Sequence, residues 1–267
     1  MRGALVLTLL AASACSGGGG DDPTSSAGDL TAGGGPGGEF VVVESSGGLI
    51  PPGALFSELP EVAVYADGTV VVPGAVNAIF PGPAVQPLRT GTIAPATVDD
   101  LLQRAAGAGL LGDKAIDLDV PEAQVIADGP TTTIHVVANG TAHDATAYAL
   151  GLIDPETGDR AAAQAFVAAV EAATADVARD DFDPTAYRVL ASEPYDGDVG
   201  AEPNTVDWPA GLPELELDGC VVVDGDGADA LEAALAEATQ ITRWQQGDDE
   251  FALSIRPLLP HEGGCEG

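Results

Sequence analysis

Basic residues are scarce in this chain. Nine Lys and Arg, Lys114 being the only lysine, stand against 42 Asp and Glu, a formal net charge of -33. A field of that sign repels polyanions at long range and excludes a nucleic-acid binder working through phosphate neutralisation. Histidine and cysteine are scarcer still, three of each in 267 residues, which leaves little material for a metal centre or an activated nucleophile. Aromatic residues make up only 4%, so a binding face built on aromatic platforms has few side chains to draw on. No Gly-x-Ser-x-Gly elbow, His-Glu-x-x-His helix, phosphate loop or dinucleotide fingerprint occurs. What is present is a chain rich in Gly (35) and Pro (20) but below the range of disordered sequences, with an apolar content of 45% that a folded body requires.

The first residues read as an address. Met1-Arg2 precedes an apolar run over residues 4–14, too short for the roughly 20 residues of a membrane span and right for a secretory signal peptide over 1–14. The break Ala12-Ser13-Ala14-Cys15 has two readings. Ordinary cleavage leaves a free Cys15, whereas a bacterial lipobox, which these residues resemble except for Ala12 where Leu is preferred, makes Cys15 the lipidated N-terminus. Parity of cysteines favours lipid: with Cys15 acylated, Cys220 and Cys265 remain to form a disulfide, and no odd thiol is left in an exported protein. Residues 16–38, with ten Gly and Leu30 as the one large apolar residue, cannot bury enough surface to fold. They read as a flexible tether with a reach of roughly 26 Å.

From Glu39 the pattern changes. Phe40-Val41-Val42-Val43 predicts a buried strand. A hairpin follows over residues 62–72, turning at Asp67-Gly68 with Val64 opposite Val71, and both of its faces are apolar. Pro95 and the spacing of Val98, Leu101, Leu102 and Ala105 predict a helix over 95–108, ended by Gly109. A second hairpin, residues 131–138 and 141–150, turns at Asn139-Gly140. It sets His135 opposite Asp144 and Val136 opposite His143, with Ile134, Val136, Ala145 and Ala147 on the core side. An Ala-rich helix over 159–177 carries the stripe Phe166, Val167, Val170, Ala173 and Val177. The acidic break at residues 180–184 marks a boundary. Beyond it a strand (186–191), a connector holding Trp208, a strand (220–223), a helix (228–239) and a hairpin turning at Gly247-Asp248 repeat the series strand, helix, hairpin.

Candidate chemistry is thin. His135 and His143 fall on opposite faces of their hairpin and cannot share one metal. His135 with Asp144 forms either an exposed cross-strand pair or the orienting pair of a general base. Asp224-Gly225-Asp226-Gly227-Ala228-Asp229 opens like a calcium loop, but its twelfth position is Leu235 in place of a bidentate Glu. The simpler reading of Asp224, Asp226 and Asp229 is carboxylates at a helix N-terminus. Trp208 is the one aromatic left as a binding platform, the alternative being a plug over the sheet. Cys220 with Cys265 closes about 45 residues, worth roughly 4 kcal/mol in the chain-entropy model; as a metal pair they have only His261 for company.

The lipobox-like start, the segment Leu59-Pro60-Glu61-Val62-Ala63-Val64-Tyr65-Ala66-Asp67-Gly68, the 131–150 hairpin and the ending Arg256-Pro257-Leu258-Leu259-Pro260 resemble lipoproteins of actinobacteria that have no assigned activity. The resemblance implies export and a cell-surface setting, and brings no catalytic residue. The expected fold is α+β: antiparallel hairpins and strands forming sheets with helices on one face, in two related subdomains, 39–178 and 184–267. The expected function is a non-enzymatic binding or structural module, held by lipid at the outer face of the cytoplasmic membrane. Its partner would be an envelope protein or a small ligand, and no cofactor is expected. The alternatives are a hydrolase acting through paired carboxylates, a divalent-cation binder, and a secreted in place of an anchored protein.

Overall fold

The computed structural model describes residues 30–35, 37–48, 55–175, 177, 180–195, 197 and 200–265. The expected signal peptide and Cys15 lie outside the described residues. The apolar run after Glu39 forms the centre of strand β1 (Glu39–Ser46), which pairs antiparallel with β2 (Val62–Tyr65) on one side and β6 (Thr131–Ala138) on the other. With β3 (Thr69–Pro73), β4 (Leu88–Thr92), β5 (Ile116–Asp117), β7 (Thr141–Tyr148) and β8 (Asp180–Asp181) they build an eight-stranded sheet in the order β5-β7-β6-β1-β2-β3-β4-β8. Only β5 runs parallel to its neighbour.

The 139–140 turn is as expected: Asn139 and Gly140 both have positive φ (53° and 73°), as a type I′ turn demands, and His135 lies opposite Asp144. The β2–β3 turn differs by one residue. Val64 lies opposite Val70, and Ala63 opposite Val71. Asp67 does not take the positive φ that a two-residue turn needs. Instead Ala66, Asp67 and Gly68 make a three-residue loop in which the Gly68 N–H donates to Tyr65 O at 2.9 Å and Gly68 (φ 88°) takes the left-handed position. A Cβ there would stand 2.5 Å from the Ile93 carbonyl oxygen. The shift decides which β3 side chains share a face with which β2 side chains.

Helix α1 (Pro95–Gly107) buries Val98, Leu101, Leu102 and Ala105, and α2 (Gly158–Thr174) buries Ala163, Phe166 and Val170. Both pack on the face of the sheet that carries Val41, Val43, Val62, Val64, Ile134, Val136, Ala145 and Ala147. Leu110 N–H reaches back to Ala105 O and Gly109 N–H to Ala106 O, a Schellman ending made by the glycine that the sequence marks as a stop. On the back face Val42, Ala63, Tyr65 and Val71 cluster with Leu88 of β4 and with Leu259 from the segment after β13. Both faces of this hairpin are therefore buried, as its composition requires.

The second sheet has the order β10-β12-β13-β9-β11, from β9 (Ala186–Ser192), β10 (Thr205–Asp207), β11 (Cys220–Asp224), β12 (Arg243–Gln246) and β13 (Asp249–Pro257). Helix α3 (Asp226–Leu235) lays Ala228 and Leu231 on the face formed by Tyr187, Val189, Ala191, Trp244 and Ile255. The series short parallel strand, hairpin, opening strand, following strand occurs in both sheets. The hairpin meets the opening strand through its first strand in one sheet and through its second in the other. The acidic stretch expected as a bare boundary contributes β8 to the first sheet, where Asp181 pairs with Arg89 of β4. Cys220 and Cys265 form a disulfide with a Cα–Cα separation of 5.9 Å.

Candidate functional site

Alternation along the strands creates the site. On β9, Tyr187, Val189 and Ala191 face α3, so Arg188 and Leu190 point the other way. Arg256 of β13 is the register partner of Arg188, and the two guanidinium groups leave the sheet on the same side. On the first sheet, Val42 and Glu44 of β1, Thr133 and His135 of β6 and Asp144 of β7 point away from the helices. These two helix-free faces, with the segment 55–59 and the tail 261–265, enclose a cleft of about 830 Å³, within the range of small-molecule sites.

Two cations side by side in a partly buried site are costly, and only one of them is neutralised. Arg256, almost fully buried, is paired through Nη2 with Glu262, whose other oxygen accepts the Leu259 N–H at 2.7 Å. Arg188 has no carboxylate within ion-pair distance among the described residues. Its Nη2 donates to the Phe56 carbonyl at 2.8 Å, and its guanidinium lies 4.6 Å from the Phe56 ring centroid. The Nε atoms of both arginines are buried without a hydrogen-bond partner. Burial first, and then the Arg256 charge, hold the Arg188 guanidinium below its ordinary value.

Opposite charge is present in the cleft but is not in contact with Arg188. Glu58 is half-buried, and its carboxyl is raised by burial and then by the Glu44 carboxylate. His135 Nδ1 meets Asp144 Oδ1 at 2.6 Å, so the cross-strand pair read from the sequence exists and lies at the edge of the cleft. His143, on the other face of the hairpin, bonds the Gly112 carbonyl.

The tail contributes a further pair. The Tyr65 hydroxyl and His261 Nδ1 are 3.0 Å apart. Burial, followed by Glu262, raises the Tyr65 phenol, so it keeps its proton. Burial also lowers His261 from its ordinary value. In the unfolded chain this imidazole takes its proton near pH 6.5, whereas in the fold it stays neutral to a lower pH. The stability it carries is complete above that value and is lost as the pH falls toward the lower folded one. Urea midpoints should therefore drop as the pH falls below about 6.5, and drop less in His261→Gln, whose amide does not titrate and can still bond the Tyr65 hydroxyl. Equal slopes in the two proteins would refute this.

No family model, curated protein or solved structure matches this chain. Trp208 is not an exposed platform: it is buried in the second core, edge-on to Trp244 at a centroid distance of 5.9 Å, with Nε1–H donating to Pro213 O at 3.0 Å. It is the plug. Asp224 ends β11, and Asp226 and Asp229 sit in the first turn of α3, where the helix dipole favours them. Among the described residues no three His, Cys, Asp or Glu converge as metal ligands, and no helix is long and apolar enough to cross a membrane. The Cys220–Cys265 bridge fits an extracytoplasmic, oxidising setting.

Arg188, Arg256, Glu44, Glu58 and Glu262 were not singled out by sequence reading. One signal was available: strand alternation places Arg188 between the buried Tyr187 and Val189, on whichever face the core leaves free.

Proposed function

We propose that this protein is an extracytoplasmic binding module, anchored to the outer face of the cytoplasmic membrane by lipid on Cys15, that captures a small ligand bearing an anionic group in the cleft between its two sheets. The observation that carries the cleft reading is Arg188: in a chain with 42 acidic residues, this cation of the cleft lining has no carboxylate partner among the described residues. An anion arriving there makes charge-assisted hydrogen bonds that the fold leaves unmade. The anchor reading rests on cysteine parity, since Cys220 and Cys265 are bonded to each other and Cys15 is the remaining thiol. Kinship with the actinobacterial lipoproteins that the sequence resembles belongs to the same proposal.

Two measurements test it. Mass spectrometry of the mature protein should find a diacylglyceryl-modified Cys15 as the first residue, and Cys15→Ser should move the protein from the membrane fraction to the medium. An unmodified mature terminus refutes the anchor. For the cleft, titration with acetate followed by amide chemical shifts should move Arg188, Phe56 and the 261–265 tail together, and Arg188→Leu should abolish the response. Shifts scattered over the surface, or unchanged in Arg188→Leu, refute the cleft reading.

A second reading, hydrolysis through paired carboxylates, has Glu44 and Glu58 on the same cleft in its favour, and an oriented base is a second observation. The His135–Asp144 pair borders the same cleft and has the geometry of an oriented base. Among the described residues no hydroxyl or thiol nucleophile is hydrogen-bonded to His135, so binding is the better supported function.

A further inference from the structure

The cleft holds unpaired charge of both signs, and that restricts its ligand further. Arg188 comes from the second sheet. Glu44 comes from β1 of the first, and Glu58 from the segment whose Phe56 carbonyl and ring hold Arg188. Among the described residues neither Glu44 nor Glu58 takes part in an ion pair. The three groups line one cavity, and Glu44 is near enough to act electrostatically on both Glu58 and Arg188. They nevertheless do not close on one another. Arg188 is held back by its hydrogen bond to Phe56, and the carboxylates are fixed on separate backbone segments.

A simple anion answers only half of this arrangement. It would satisfy Arg188 and then meet Glu39, Glu44 and Glu58, whose like charges repel it. A simple cation answers only the other half, because it leaves Arg188 without a counter-ion. A molecule with one charge of each sign satisfies both ends, and removes the repulsion between Glu44 and Glu58 as it does so.

We infer that the ligand is a zwitterion, an amino acid or short peptide, with its carboxylate on Arg188 and its free ammonium between Glu44 and Glu58. This rests on the cleft reading given above. Recognition by paired charges in place of stacking also accords with a cleft in which Phe56 already covers Arg188 and Trp208 is buried elsewhere. The cavity is large enough for two or three small residues, with Leu55, Leu59 and Leu190 lining it for apolar side chains.

Calorimetry on the folded protein tests this with alanine, dialanine and trialanine, and with dialanine blocked at one end, as N-acetyl-dialanine or dialanine amide. Each blocked form should bind at least about tenfold more weakly than dialanine, the cost of one lost charge-assisted contact. Arg188→Leu should erase the preference for a free carboxylate while keeping the preference for a free amine, and Glu58→Gln should do the reverse. The ranking of the three unblocked compounds separates amino acids from peptides. N-acetyl-dialanine binding as tightly as dialanine overturns the zwitterion and leaves the anion-binding cleft standing. If none of the compounds binds at tens of millimolar the zwitterion is refuted, and the acetate titration then decides the cleft reading independently.

Discussion

Cys220→Ser with Cys265→Ser will lower the folding free energy by about 2–4 kcal/mol, seen as a fall in the urea midpoint that reductant reproduces in the native protein. The bridge closes a sequence separation of 45 residues, and most of its effect comes from restricting the unfolded chain. The folded state adds a specific loss. Residues 261–265 have no strand partner and are tied to β11 by this bond. They carry His261, which bonds Tyr65, and Glu262, which neutralises the buried Arg256. Released from Cys220, the tail can leave, and Arg256 is then a buried cation next to Arg188 without a counter-ion, an arrangement that costs several kcal/mol unless the sheet edge opens. The serine variant should therefore lose protection from hydrogen exchange first along β13 and the back-face strands under Leu259, and keep it along α1 and α2. A midpoint unchanged by reductant would refute the energetic argument, and uniform loss of protection would refute the local one.

The same tail explains which parts of the molecule can be read from sequence. Elements whose pattern is short-range and complete in itself are legible. The 95–107 helix, with Pro at its start, four buried residues at helical spacing and Gly109 beyond it, matches expectation closely, as does the Asn139-Gly140 hairpin down to the pairing of His135 with Asp144. The Asp67-Gly68 turn departs from expectation by one residue because two turn types use the same dipeptide, and only the φ of Asp67 separates them. β4 was not expected at all: Leu88-Arg89-Thr90-Gly91-Thr92 has no apolar alternation, and β3 supplies its pairing. The cleft is hardest to see. It exists because two helix-free faces oppose each other, and its charged residues lie at positions 39, 44, 58, 144, 188, 256 and 262, which are brought together by tertiary structure. A strand residue such as Arg188 reads in sequence as solvent-facing, and the register with Arg256 that turns it into half of a cation pair has no local signature.

A comparable omission in the first core leads to the other large effect. Extending the buried stripe of α2 backwards from Val170, Phe166 and Ala163 lands on Arg160, which the helical period places in the core and whose charge made it easy to assign to the surface. The side chains of Arg160 and Glu156 are each 4% exposed. The guanidinium donates to both carboxylate oxygens of Glu156, at 2.7 and 2.9 Å, and to the carbonyls of Leu118, Tyr148 and Ala149 at 3.1–3.2 Å. It thereby ties the start of α2 to the end of β7 and to the loop after β5. Glu156 also accepts the Gly151 N–H at 2.9 Å. Such a pair is expensive to bury but more expensive to halve. Arg160→Met should destabilise the protein by about 3–5 kcal/mol, because it leaves a buried carboxylate without its counter-ion and takes one donor from each of three carbonyls. Glu156→Gln, which preserves shape and some hydrogen bonding, should cost less than Arg160→Met. The Arg160 hydrogen bond holds the Glu156 carboxyl below its ordinary value despite burial. The pair's contribution is therefore full above the unfolded carboxyl value of about 4.3 and is lost as the pH falls below it toward the lower folded one. Glu156→Gln should flatten that acid limb of the stability curve and leave the His261 limb in place. If Arg160→Met costs under about 1 kcal/mol, as an exposed pair would, the guanidinium does not hold these three segments together.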